Sequence, residues 1–72
     1  MHTTPPNWLD YLVQELREGE ITDMPEDLSD SERLYVALAT NRIKHLHCSI
    51  PAALARIGPE WREHLVLLWQ YT

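Results

Sequence analysis

Four side chains with metal-binding chemistry stand out in this 72-residue chain: His45, His47, Cys48 and, further on, His64. Imidazole nitrogen and thiolate sulfur suit a tetrahedral zinc site. The spacing argues against one. Residues two apart on a helix point about 200° apart, so His45 and His47 converge only where a helix has ended between them. No CxxC and no HxxxH is present. The expectation is therefore histidines at a helix C-terminus and Cys48 as a small buried hydrophobe. A metal-binding or redox-sensing domain built on these four residues is the alternative. A Cys48–His47 nucleophile pair is weaker still, because adjacent residues seldom reach the required hydrogen-bond geometry and no orienting group is evident.

Other chemistries find less support. Gly19 and Gly58 are the only glycines, which excludes a glycine-rich phosphate loop. Carboxylates alone in a small acidic protein do not indicate acid–base catalysis. With no cofactor motif, the chain is expected to be a non-enzyme without a cofactor. The order short helix, Gly58 turn, longer helix over residues 51–69 resembles a helix-turn-helix in outline. Its second helix offers Glu60, Glu63 and Arg62 among Trp and Leu, which suits a core and not a DNA major groove.

Charge is unevenly placed. Residues 10–32 carry nine acids and one base, Arg17, for a balance of −8. Residues 33–72 carry two acids and five bases, for +3, and the whole chain is −5. An acidic front disfavours nucleic-acid binding, which needs a basic footprint. Partial neutralisation against the basic half is one reading. The sharper one is an acidic face, Glu18, Glu20, Asp23, Glu26, Asp27 and Asp30, that docks on another protein. A second candidate surface is aromatic. There are three Trp, three Tyr and no Phe. Most should be core, but the last helix is apolar over about half its circumference, so Leu67, Trp69 and Tyr71 can form an exposed contact patch.

The elements that must position these residues follow from periodicity. The run 29–46 is the hub of the fold. It opens with a capping box, Ser29-x-x-Glu32. From Leu34 on, its apolar residues sweep roughly 200° at about 100° per residue, wider than the stripe one neighbour can cover. Arg42, Lys44, His45 and His47 follow at its C-terminal end. Arg42 and His45 fall inside the apolar arc and are expected to snorkel or meet an acid. Before the hub, residues 6–18 place Trp8, Leu9, Tyr11, Leu12, Val13 and Leu16 on one face and Asp10, Gln14, Arg17 and Glu18 on the other. Pro5 and Pro6 suit a first turn, and Gly19 suits a left-handed cap. Residues 20–28 read as an acidic loop anchored by Ile21, Met24 and Leu28. After the hub come helices over 50–57 and 59–71. The last carries Trp61, Leu65, Leu68 and Trp69 inward, with Leu67 and Tyr71 flanking. The expected fold is all-α, one domain over 1–72 with residues 1–4 frayed. It is a compact bundle of four helices, roughly 6–18, 30–46, 50–57 and 59–71, around helix 30–46.

One cysteine allows no intrachain disulfide, in keeping with a reducing compartment. The first twenty residues have neither a basic n-region nor an apolar h-region, and no apolar run reaches the ~18–20 residues of a membrane span. A cytoplasmic location is expected. The run Ser29-Asp-Ser-Glu-Arg-Leu-Tyr-Val-Ala-Leu-Ala-x-Asn-Arg42 and the run Ile50-x-x-Ala-Leu-x-Arg-Ile-Gly-Pro-Glu-Trp61 resemble a group of short helical proteins of unknown function in bacteria and their mobile elements. The resemblance implies no activity and no catalytic residues. It does imply a setting, bacterial or phage, in which small acidic proteins often act by binding another protein, inhibitors of host defence among them. The expected function is non-covalent protein–protein binding, as an inhibitor or regulator. Homodimerisation through the last helix is a further alternative.

Overall fold

The computed structural model describes residues 5–69. Four α-helices run in order: α1 (Asn7–Glu18), α2 (Asp30–Ala39), α3 (Ile50–Ile57) and α4 (Pro59–Trp69), with a 3₁₀ turn at Ile43–His45 before α3. No strand occurs among the described residues. The expected all-α bundle is the observed one, and its radius of gyration is 11.2 Å, matching the ~11 Å of a well-packed chain of this length. No helix among the described residues is long and apolar enough to cross a membrane.

Local chemistry accounts for the helix starts. The Ser29 Oγ accepts from the Glu32 N–H at 3.3 Å, and the Glu32 carboxylate accepts from the Ser29 N–H at 2.9 Å. The capping box expected for α2 is complete. Ser49 caps α3 through the Ala52 N–H at 3.3 Å, with Pro51 in the first turn. At α1 the start lies one residue later than expected. Pro6 is the extended N-cap residue, with no side-chain bond to offer. Gly19 closes α1 in the left-handed conformation (φ 83°), its N–H donating to the Glu15 carbonyl.

α2 is the hub, packing against α1, α3, α4 and the 3₁₀ turn. Leu34, Tyr35, Val36, Ala37, Leu38 and Ala39 are all buried, so the helix is surrounded over its last two turns. It is shorter than its apolar pattern suggests, ending at Ala39 and not at residue 46. Asn41 adopts φ 59°. Its N–H donates to the Leu38 carbonyl, and the Arg42 N–H donates to the Ala37 carbonyl. That pair of bonds is a Schellman closure, with Asn41 in the left-handed position usually held by Gly. Leu46, one of the residues of the broad arc, is still buried, but it reaches the core from the turn that follows.

α1 departs further from its pattern. Leu9, Val13 and Leu16 are buried, a stripe at spacings of four and three. Trp8 and Tyr11, expected on the same face, are 51% and 70% exposed. Only α2 packs closely along α1, and one neighbour covers a stripe little more than ~100° wide. The loop 20–28 lies on the protein as expected, with Ile21, Met24 and Leu28 partly buried against the core. In α4, Leu65 is fully buried, and Trp61 and Trp69 are partly buried. Leu68 is 50% exposed instead of inward-facing. The inward arc of α4 is shared with His64, whose imidazole is drawn towards α1. Residues 70–71, included in the expected last helix, and the frayed end expected at 1–4 lie outside the described residues.

Candidate functional site

The residues singled out for metal chemistry are not assembled. His45 is half-buried at the end of the 3₁₀ turn, His47 is exposed at φ 57°, and Cys48 is a free thiol packed partly against the core. His64 belongs elsewhere, with its Nε2 2.9 Å from Asp10 Oδ2. Among the described residues no group of three or more His, Cys, Asp or Glu side chains is placed to hold a metal. Arg42 is half-buried, and its Nε is buried without a hydrogen-bond partner among the described residues. His45 instead shares a small cavity with Asp23, Met24, Glu26 and Arg33. There the acidic front does approach the basic half.

A polar cluster that spacing did not indicate sits between α1, α2 and α4. Asp10, assigned to the solvent face of α1, turns inward. Its Oδ1 accepts from the Tyr35 hydroxyl at 2.7 Å and from the Trp69 indole N–H at 3.2 Å. The same indole N–H lies 3.1 Å from the Tyr35 oxygen. Tyr35 has no exposed surface, and its ring meets Trp61 edge-on at 5.6 Å. Burial, followed by the bond to Asp10 and that carboxylate's charge, pushes the Tyr35 pKa well above its ordinary value. The hydroxyl therefore stays a proton donor. No hydroxyl or thiol is hydrogen-bonded to His64 among the described residues. The cluster thus reads as a tie between three helices: α1 and α4, which do not pack closely backbone to backbone, are joined through these side chains. Arg17 adds to it, its guanidinium 5.3 Å from the Trp69 ring centroid.

The surface outside this tie carries the candidate docking features. Glu18, Glu20, Asp23, Glu26, Asp27 and Asp30 are all exposed. Of these, only Asp30 makes an ion pair among the described residues, with Arg33 at 3.1 Å. On α4, Val66, Leu67 and Leu68 are 45%, 73% and 50% exposed. Trp69 is half-buried with its N–H committed inward, and Tyr71 lies outside the described residues, so the expected aromatic patch is, as far as it is described, an aliphatic one.

A second apolar surface lies on α1. Trp8, Tyr11, Leu12 and Glu15 stand at i, i+3, i+4 and i+7 of α1, one stripe along its outer flank. Opposite lie Pro25, Asp27 and Leu28 of the acidic loop and Glu32 of α2. Together they enclose an open groove of about 630 Å³. Its lining combines aromatic and aliphatic side chains with three carboxylates, Glu15, Asp27 and Glu32. The hint in the sequence was the excess of apolar residues on α1 over what one helix neighbour can cover.

Compared with protein-family models, characterised proteins and solved structures, the chain matches none.

Proposed function

We propose that this protein acts by binding another protein non-covalently, as a small inhibitor or regulator. The observation that supports this is the exposure of Trp8 and Tyr11 beside an acidic loop, residues 20–28, that makes no ion pair among the described residues. Both aromatics sit outside the core, whereas Tyr35 is fully buried within it. Large rigid aromatic side chains contribute much contact area for little ordering cost, and they dominate the centres of protein interfaces. The neighbouring carboxylates Glu20, Asp23, Glu26 and Asp27 would steer a basic partner and give the association a steep salt dependence.

The test is site-specific crosslinking in the source cells. A photoreactive benzoylphenylalanine replacing Tyr11 is expected to give one discrete adduct. The same group replacing Arg56, exposed on α3, should give none. Equal patterns at the two positions, or no adduct at either, would remove the reading. A second reading, homodimerisation through α4, draws on the consecutive exposed residues Val66, Leu67 and Leu68. Light scattering across concentration tests it: a constant monomer mass ends it.

A further inference from the structure

We propose that the groove between α1 and the acidic loop receives a cationic, apolar segment of a partner protein. An arginine or lysine side chain would lie over Trp8 and Tyr11, its charge set among Glu15 and Asp27. The proposal rests on the protein-binding reading above and names the chemistry of the occupant.

The stripe Trp8, Tyr11, Leu12, Glu15 offers apolar contact along two turns of α1 and ends in a carboxylate. Aromatic faces attract cations, more strongly when water is displaced, and a carboxylate beside them binds a guanidinium through charge-assisted hydrogen bonds. Among the described residues no lysine, arginine or histidine lines the groove. Arg17, on α1, lies over Trp69, and Arg33, beside Glu32, pairs with Asp30. Among the described residues the groove therefore holds aromatic faces and negative charge without a cation of its own.

The same features disfavour other occupants. A wholly apolar segment would desolvate Glu15 and Asp27 with no compensating charge. Nucleic acid would meet like charge. A metal ion would need converging carboxylates, yet the Glu32 carboxylate is taken by the Ser29 N–H and no metal-holding group is present among the described residues. A second copy of this chain carries a net charge of −5 and would bring repulsion to an acidic groove. A helix or strand presenting apolar residues interspersed with Arg or Lys satisfies both the apolar lining and the carboxylates.

The experiment titrates the full chain with a twelve-residue amidated peptide carrying leucine and arginine on one helical face, and with a twin carrying glutamate for arginine. The Trp8 indole and Tyr11 ring resonances are followed by NMR. The arginine peptide is expected to shift both, leave the Trp69 indole unmoved and bind more weakly as salt rises. The glutamate twin should not bind. The double variant Glu15→Gln, Asp27→Asn alters no side-chain hydrogen bond among the described residues and should weaken the arginine peptide about five- to tenfold. Equal binding of the two peptides, unchanged affinity in the double variant, or shifts confined to the acidic loop would overturn the proposal, as would self-association through the groove. If the crosslinker at residue 11 captures a partner while the arginine peptide fails, the occupant's chemistry is wrong and the binding reading stands. If the peptide seats but the crosslinker captures nothing in cells, the groove's preference holds and the cellular reading falls.

Discussion

The Tyr35 hydroxyl donates a 2.7 Å hydrogen bond to the Asp10 carboxylate, linking the hub helix α2 to α1. Through the other oxygen of that carboxylate the link continues to His64 on α4. A bond to an ionised, largely buried acceptor contributes about 1.5–3 kcal/mol. Tyr35→Phe keeps the ring against Trp61 and removes only the hydroxyl. It is expected to lower the unfolding free energy by that amount, with an unchanged denaturant slope. A loss below about 0.5 kcal/mol in urea melts would show that the tie contributes little.

The same hydroxyl makes stability fall at alkaline pH. Its pKa is raised in the folded protein, chiefly by burial and then by the bond to Asp10. The unfolded chain releases this proton at about pH 10 while the folded chain retains it. The stabilisation is therefore complete below pH 10 and is lost as pH rises beyond it, by about 1.4 kcal/mol per pH unit. Denaturation followed from pH 9 to 11 should show this slope in the parent and lose it in Tyr35→Phe. Equal alkaline slopes in the two proteins would refute the assignment.

Leu65 and Leu67 lie two residues apart on α4 in opposite environments, the first fully buried and the second 73% exposed. Leu65→Ala is expected to cost about 2–5 kcal/mol, through lost burial and the cavity left behind. Leu67→Ala should stay within about 0.5 kcal/mol. Thermal melts of the dilute monomer would measure both. A large loss at Leu67 would mean that its side chain is covered.

The two glycines separate by backbone region. A Cβ on Gly19 would meet nothing within 4 Å, and one on Gly58 only the Glu60 carboxylate at 3.9 Å. Any cost of alanine is therefore conformational, about 1–2 kcal/mol for the left-handed Gly19 and about 1–3 kcal/mol for Gly58 at φ 90°, ψ 161°. Asparagine tolerates the left-handed region, so Gly19→Asn should recover part of the loss. Gly58→Asn should recover none. Matching behaviour at the two sites in chemical denaturation would refute this.

Much of the helical framework was legible, and the site was not. The Ser29–Glu32 box, the Gly19 cap and the Ser49 start depend on groups within a few residues of each other, and spacing reveals them. The end of α2 at Ala39 is not evident from the apolar pattern, although its cause is also local. Asn41 can take the left-handed position that ends a helix, and the apolar arc running past it to Leu46 masked that signal. His45, His47 and Cys48 are close in sequence, yet among the described residues no group of three or more metal-type side chains converges. The charge of the acidic loop points to a docking face, whereas the apolar stripe of α1 by itself points to core, and Trp8 and Tyr11 are exposed all the same.

What the chain determined unaided is therefore the set of four helices, the hub among them and the polarity of its two halves, because capping and periodic burial act over one or two turns. The tertiary structure alone decided which part of each apolar arc meets a neighbour. Asp10 finds its partners 25, 54 and 59 residues away, and nothing near it in the chain marks it as an inward acid. Trp8 and Tyr11 are left outside for the same reason. One helix packs closely along α1, and the side it covers is set by the arrangement of the whole bundle.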